Sequence, residues 1–355
     1  MGESRPKKLL EQVRDAARLR HFSLFTERAY VNWIRRFIRF HRLRHPKEMG
    51  APEISQFLTF LAVDQNVAAS TQNQALNALV FLYREVLGQD PGIFEGVVRA
   101  RRPKFVPCVL SVDEVNELLS RLKGTPLLIT SLLYGAGLRL NEALRLRIKD
   151  LDFERNLIVV RQAKGFKDRT VPLPLSIKDR LQRHLTEVKK LHQNDLANGF
   201  GCVELPFAFA RKNPGAAKDW KWQWVFPGKN ISIDPRGGER RRHHLHDSIL
   251  QKHLRRAAAE AKLQKRITAH TFRHSFATHL LDAGTDIRTL QVLLGHVDVK
   301  TTMIYTHVTL EKGVGTKSPL DTIQASSASE AGVQIEKGET LRQWLKSQLE
   351  RLLAS

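Results

Sequence analysis

Tyr305 lies in the run Thr301-Thr302-Met303-Ile304-Tyr305-Thr306-His307, nine residues after the pair Gly295-His296 and behind His270-Thr271-Phe272-Arg273. A phenol, two histidines and an arginine thus recur within one short C-terminal stretch. A second arginine, Arg139, lies far upstream in Gly137-Leu138-Arg139-Leu140-Asn141-Glu142-Ala143-Leu144. Residues of these types suit one kind of chemistry. A tyrosine that attacks a phosphate diester needs cations and hydrogen-bond donors converging on the phosphate oxygens. Arginine forks match nonbridging oxygens two at a time, which an ammonium cannot do. Each motif alone is common by chance, and their ordered conjunction is the informative feature.

This set resembles the active-site set of the tyrosine recombinases, the phage-integrase family, over roughly residues 5 to 320. The resemblance implies cleavage of DNA through a 3′-phosphotyrosine, which stores the bond energy so that rejoining needs no ATP. In that scheme Tyr305 is the nucleophile, and Arg139 and Arg273 clamp the phosphate. His270 and His296 hydrogen-bond the same phosphate, with His270 as candidate proton acceptor for the tyrosine. Lys164, in the turn Gln162-Ala163-Lys164-Gly165, protonates the leaving 5′-oxygen. Glu142, one helical turn after Arg139, reads as an orienting or capping carboxylate. His274, His279 and His307 read as structural. No cofactor is implied. A zinc site is the rival use for 14 histidines, but no Cys-x-x-Cys or His-Glu-x-x-His occurs, and the neighbouring arginines would repel a cation.

The elements that position these residues are mainly helical. Tyr30, Trp33, Ile34, Phe37, Ile38 and His41 recur at helical spacing, with Arg35, Arg36 and Arg39 between them as a cationic, DNA-facing set. A second helix begins near Pro52, and a third runs from about Thr71 to Leu87 and stops at Gly88. Residues 1–98 form an N-terminal helical DNA-binding domain of four helices. Residues 99–107 are a proline-bounded basic linker whose Arg101, Arg102 and Lys104 suit a phosphate backbone. A catalytic domain covers 108–321, opening with the capping box Ser111-Val112-Asp113-Glu114. Asp152 to Val160 and Arg169 to Leu173 alternate as strands of a small antiparallel three-stranded sheet. Asp286 and Asp298 are helix N-caps, Gly295 is a C-cap, and Tyr305 falls about two turns into the last helix. The fold class is mainly α, arranged as a two-domain clamp around duplex DNA.

Residues 192–225 interrupt this plan as an insertion with its own small helix, carrying Trp220, Trp222 and Trp224. Arg236 to His246, with Arg240, Arg241, Arg242, His243 and His244, reads as a basic loop. The run Leu205-Pro206 through Lys212-Asn213-Pro214, then Trp222-Gln223-Trp224-Val225-Phe226-Pro227, resembles the segment found in integron integrases. His243-His244-Leu245-His246-Asp247-Ser248 and Gly315-Thr316-Lys317-Ser318-Pro319-Leu320-Asp321 are similar to the same branch. The branch implies insertion and excision of gene cassettes, with the cassette site bound as a folded single strand whose unpaired bases protrude. Trp220, Trp222, Trp224, His243 and His244 are the candidates to stack on such bases. Arg240, Arg241 and Arg242 are candidate phosphate contacts. The other use of the tryptophans is to anchor the insertion.

Composition agrees with a nucleic-acid partner. The chain has 355 residues, 58 Lys and Arg against 36 Asp and Glu, and a formal charge of +22. Such an excess is self-repelling unless a polyanion is bound. Two cysteines are too few for a disulfide framework and fit a reducing cytoplasm. The basic start lacks the apolar core of a secretory signal, and Leu127 to Leu138 is too short to span a bilayer, so the expected location is cytoplasmic, on chromosomal or plasmid DNA. Residues 322–355 carry no net charge and form a tail ending in a short amphipathic helix, which reads as a partner-docking helix or a frayed extension. The partners implied are DNA, duplex and folded single-stranded, and a homotetramer on paired sites that resolves a Holliday junction. The alternatives are a Xer-type or transposon recombinase on duplex sites, a DNA-binding regulator without chemistry, and a type IB topoisomerase acting alone.

Overall fold

A computed structural model describes residues 7–89, 107–161, 168–206, 209–234 and 237–311, with the backbone alone for 306–311. The expectations for Arg101, Arg102, Lys104, Lys164 and the tail 322–355 lie outside the described residues. The chain divides into two compact units, Met1–Phe105 and Val106–Ser355.

In the first unit, α1 (Leu9–Leu19), α2 (Leu24–Phe40), α3 (Ala51–Val63) and α4 (Ala69–Phe81) close around one core. Helix α2 starts where Ser23 Oγ accepts the Thr26 N–H at 3.1 Å. It buries Val31, Ile34 and Phe37, which leaves Arg35 and Arg39 exposed. Arg36 lies across the Trp33 ring, 4.5 Å from its centroid. Pro52 sits in the first turn of α3, where Glu53 also accepts the Gly50 N–H at 2.8 Å. The third predicted helix is not uniform. It widens into a π-helical turn at Leu82–Val86 before Gly88 takes φ +65°. The buried Tyr83 hydroxyl lies in that turn, 3.1 Å from the carbonyls of both Pro46 and Met49.

The second unit is built on α6 (Gly124–Gly135), whose Leu128, Ile129, Leu132 and Leu133 are buried. Before it comes α5 (Val112–Arg121), closed by the reciprocal Ser111–Glu114 capping box. After it come α7 (Leu140–Leu144), then β1 (Leu151–Asp152), β2 (Leu157–Val160) and β3 (Arg169–Pro172). These strands form an antiparallel sheet in the order β1-β2-β3, with Ile158 opposite Val171. Helix α8 (Lys178–Ala197) follows, then α9 (Phe209–Lys212), β4 (Pro227–Ile233), β5 (Arg240–His244), α10 (Asp247–Glu260), α11 (Ala269–Asp282), α12 (Ile287–Leu294) and α13 (Lys300–Glu311). The molecule is therefore mostly helical with one small three-stranded sheet, as the sequence implies.

Two expectations need correction. Residues 192–197 belong to α8, and buried His192 and Asp195 continue its inner face, so the interruption begins after Ala197. The run Arg240 to His244 is not a loop but a strand, paired antiparallel with β4 as a second sheet. Five consecutive basic or imidazole side chains show no alternation, so only the partner strand reveals the strand. A β-carbon on Gly228 would meet the His243 carbonyl at 3.2 Å, so a glycine there suits the close approach of the two strands.

Candidate active site

Helix α11 starts at Ala269, just after the Thr268 N-cap. Positions 270, 273 and 274 therefore share one face, which brings His270, Arg273 and His274 together. Arg273 is 4% exposed. Its Nη1 donates to the Gly137 carbonyl, and its Nη2 donates to the Leu294 carbonyl at 2.6 Å. Burial pushes its pKa down to about 9 and Arg139 adds to this, while Glu142 opposes it, so the guanidinium stays charged at neutral pH. Gly137 has φ +61° and lies against the Phe276 ring where a β-carbon would sit. That turn feeds the chain into α7 with Arg139 as its N-cap residue.

Glu142 ties the cations together. It accepts the Arg139 backbone N–H and Nη1, both at 2.8 Å. It also takes a two-pronged pair from Arg169, at 3.0 and 2.6 Å, and lies 3.8 Å from Arg273. Burial alone would raise this carboxyl, but the Arg169 hydrogen bonds and charge outweigh it, with Arg139 adding to them, and hold it near 2. Arg169 further donates to the Leu293 carbonyl at 2.9 Å, and Arg139 reaches the Gly295 carbonyl at 3.4 Å. Strand β3 and the end of α12 are thereby joined at the site. Sequence reasoning missed Arg169. The signal was its register: it shares the inward face of β3 with buried Val171.

Helix α12 begins at Asp286, whose carboxylate accepts the Arg288 and Thr289 N–H groups, and ends at Gly295 with φ +60°. That left-handed cap presents His296. His296 lies 3.2 Å from Arg273 Nη2 through Nε2 and 2.9 Å from Thr302 Oγ1 through Nδ1. Asp298 accepts the Lys300 N–H at the start of α13, on which Tyr305 is carried inward, 2% exposed. The Tyr305 and His296 rings lie near parallel, 11° apart with centroids 6.4 Å apart. Burial raises the phenol pKa, and the Arg273 and Arg139 charges pull it back.

The structure thus brings Arg139, Glu142, Arg273, His296 and Tyr305 into one cluster, with His270 at the exposed start of α11. Desolvation and then the Arg273 and Arg139 charges lower the His270 pKa. The residue lying 3.0 Å from the Tyr305 hydroxyl is His274, through Nδ1. The sequence reading assigned the proton to His270 and left His274 structural. Spacing already placed both on one helix face, but only the path of α13 shows which of them meets the phenol.

The insertion folds around its own small core of Val203, Leu205, Ala216, Trp222 and Trp224. Arg147 pins it to the segment before the sheet. Its guanidinium donates to the Trp222 and Glu204 carbonyls, each at 2.6 Å, and lies 3.9 Å from the centroid of Trp224. Lys149 covers Trp222 at 3.5 Å. Trp222 and Trp224 are thus buried with their faces occupied, the arrangement of the anchoring use. Trp220 is half-buried beside His192, with ring centroids 6.1 Å apart. His243 stacks one face on Trp224, 16° from parallel, and His244 meets the same ring edge-on. The three arginines of β5 also divide. Arg242 is bound to buried Asp195, with Nη2 donating at 2.6 Å, and to the Gly228 and Lys229 carbonyls. Arg241 is paired with Glu239 and Asp234. Arg240 is exposed. Arg242 is therefore engaged within the fold, while Arg240 is open to solvent.

Comparison with known proteins gives a consistent result. The profile described as Phage integrase family matches residues 109–312, and that of the phage integrase N-terminal SAM-like domain matches 9–93. An integrase/recombinase of Escherichia coli is 47% identical over 90% of this chain and 95% of its own. The tyrosine recombinase XerA of Thermococcus kodakarensis is 31% identical over 87% of this chain and 93% of its own. Among solved structures, the XerH site-specific recombinase in a post-cleavage complex with a palindromic difH substrate shares the fold. Its TM-score is 0.56 at 21% identity, covering 86% of this chain and 84% of that one. Fold and site together define an enzyme that breaks and rejoins DNA strands. The chain belongs to the phage integrase family, the tyrosine recombinases.

Proposed function

We propose that this recombinase is an integron integrase, which inserts and excises gene cassettes and takes the cassette site as a folded single strand. The observation that carries the reading is the insertion after α8. Its sequence resembles that of integron integrases, and it forms a separate small core fastened to the catalytic unit by Arg147. Trp220, His243 and His244 keep partly exposed surface on this body and supply the walls for protruding bases. Arg240, together with Arg35, Arg36 and Arg39 of the first unit, contacts phosphates.

In this reading Tyr305 attacks the scissile phosphate while Arg139 and Arg273 bind its nonbridging oxygens. His270 and His296 donate hydrogen bonds to the same phosphate, and Lys164 protonates the 5′-oxygen. Glu142 orients the arginines. Four protomers on two sites exchange strands through a Holliday junction in the cytoplasm, on chromosomal or plasmid DNA. Residues 99–107 strap the backbone.

The test is strand transfer in vitro with folded single-stranded and duplex cassette sites. Alanine at Trp220, His243 or His244 should weaken folded sites selectively, by about 5- to 150-fold for a stacking loss of ~1 to 3 kcal/mol. Equal use of both substrates, unaffected by all three substitutions, would favour a Xer-type or transposon recombinase acting on duplex sites.

A further inference from the structure

We propose that His274 is the group that takes the Tyr305 proton as the phenol attacks, with Nδ1 as the acceptor. The inference rests on the reading of Tyr305 as nucleophile. The Tyr305 hydroxyl lies 3.0 Å from His274 Nδ1, within reach for direct transfer. At 2% exposure the tyrosine has little access to bulk water as an acceptor.

The other imidazole stacked near the phenol is committed elsewhere. His296 Nε2 faces the Arg273 guanidinium, which can only donate, at 3.2 Å. Its Nδ1 is engaged by Thr302 Oγ1 at 2.9 Å. Both His296 nitrogens thus have partners other than the phenol. His270 stands a turn earlier on α11, at its exposed start, with its ring centroid 6.4 Å from that of His274.

His274 is placed to act as the acceptor. It is half-buried on the inner side of α11, adjacent in sequence to the clamp arginine. Burial first, then the His270 and Arg273 charges, hold its pKa down to about 4, so it enters the reaction neutral. With its own proton on Nε2, Nδ1 offers a lone pair to the phenol. The step balances as follows: the phenol proton passes to Nδ1, the bond from the Tyr305 oxygen to phosphorus forms, and the bond from phosphorus to the 5′-oxygen breaks. That oxygen leaves as a hydroxyl with a proton from the general acid. Rejoining runs the same transfers in reverse, His274 returning the proton to the departing phenol.

The experiment is single-turnover cleavage of a suicide substrate by the full chain at saturating DNA. Wild type, Tyr305→Phe, His274→Ala and His274→Asn are compared, each with its DNA affinity and melting temperature. Asparagine preserves size and a hydrogen-bond acceptor near the Nδ1 position but cannot take a proton. Both His274 variants should lose about 100-fold in cleavage rate, with affinity and melting temperature held. Wild-type cleavage by His274→Asn would reduce His274 to an orienting contact and overturn the proposal. So would cleavage by His274→Ala within about threefold of wild type, or a loss that tracks a lowered melting temperature in both variants. A covalent adduct persisting in Tyr305→Phe would overturn the nucleophile reading itself. An adduct-free Tyr305→Phe beside an unimpaired His274→Ala would overturn the His274 step alone.

Discussion

Glu142 shows why a carboxylate belongs in a site built to bind an anion. Arg139, Arg169 and Arg273 converge there, and without a counter-charge their mutual repulsion would oppose folding before any phosphate arrives. Its folded pKa near 2 lies below the ordinary 4.5. Its stabilising contribution is therefore full above about 4.5 and is lost as pH falls toward 2. Glu142→Gln should lower the melting temperature at neutral pH and flatten the acid limb of stability between those values, as urea titrations at several pH values would show. The half-buried imidazoles act just above that window. His244, His274 and His296 are all held down to about 4 by burial first. The unfolded chain therefore takes up more protons as pH falls from about 6.5 to 4, and stability should already decline there. For the clamp, Arg273→Lys keeps a charge but loses the fork. Cleavage should fall by ~2 to 4 kcal/mol in activation free energy, with DNA affinity little changed. An unimpaired cleavage rate would mean that Arg273 is only a backbone contact.

At the scale of elements, β5 divides its arginines between internal pairing and exposure to solvent. Arg242 satisfies Asp195 on the inner side of α8, so Arg242→Ala strands a buried carboxylate. The expected cost is ~3 to 5 kcal/mol of stability, read as an earlier thermal transition. Arg240 is exposed, so Arg240→Ala should leave melting unchanged and reduce the salt dependence of DNA binding by about 0.9 in the log–log slope. If both variants melt like the wild type, the hairpin is not held by the Asp195 pair. If Arg240→Ala leaves the slope unchanged, β5 does not touch phosphate.

For the whole molecule, +22 of formal charge is the dominant long-range property. Binding to any DNA should weaken linearly in log–log plots against salt, with sequence preference emerging as salt rises. Among the described residues no helix is long and apolar enough to cross a membrane. Two arginines and a lysine can supply the positive charge that a metal would otherwise bring to the phosphate. Cleavage of a suicide substrate should therefore persist in EDTA. Loss of activity that magnesium or zinc restores would point to a metal-assisted reaction instead.

The sequence by itself determined whatever depends on short spacings. The Asp286 and Ser111 caps, the Gly295 stop and the 3.6-residue periodicity that aligns His270 with Arg273 are contacts among residues a turn apart, and local backbone geometry dictates them. The small sheet was legible for the same reason, since alternation marks each strand alone. Only the tertiary structure decided which partners meet across long separations. Arg169 reaches Glu142 across 27 positions, Arg273 reaches Gly137 across 136, and Arg242 reaches Asp195 across 47. It also placed His274 rather than His270 against Tyr305, and sank Trp222 and Trp224 into a core of their own. A buried charge or ring takes whatever partner the packing supplies, because leaving it unsatisfied costs more than any local preference can offset. No spacing along the chain encodes that choice.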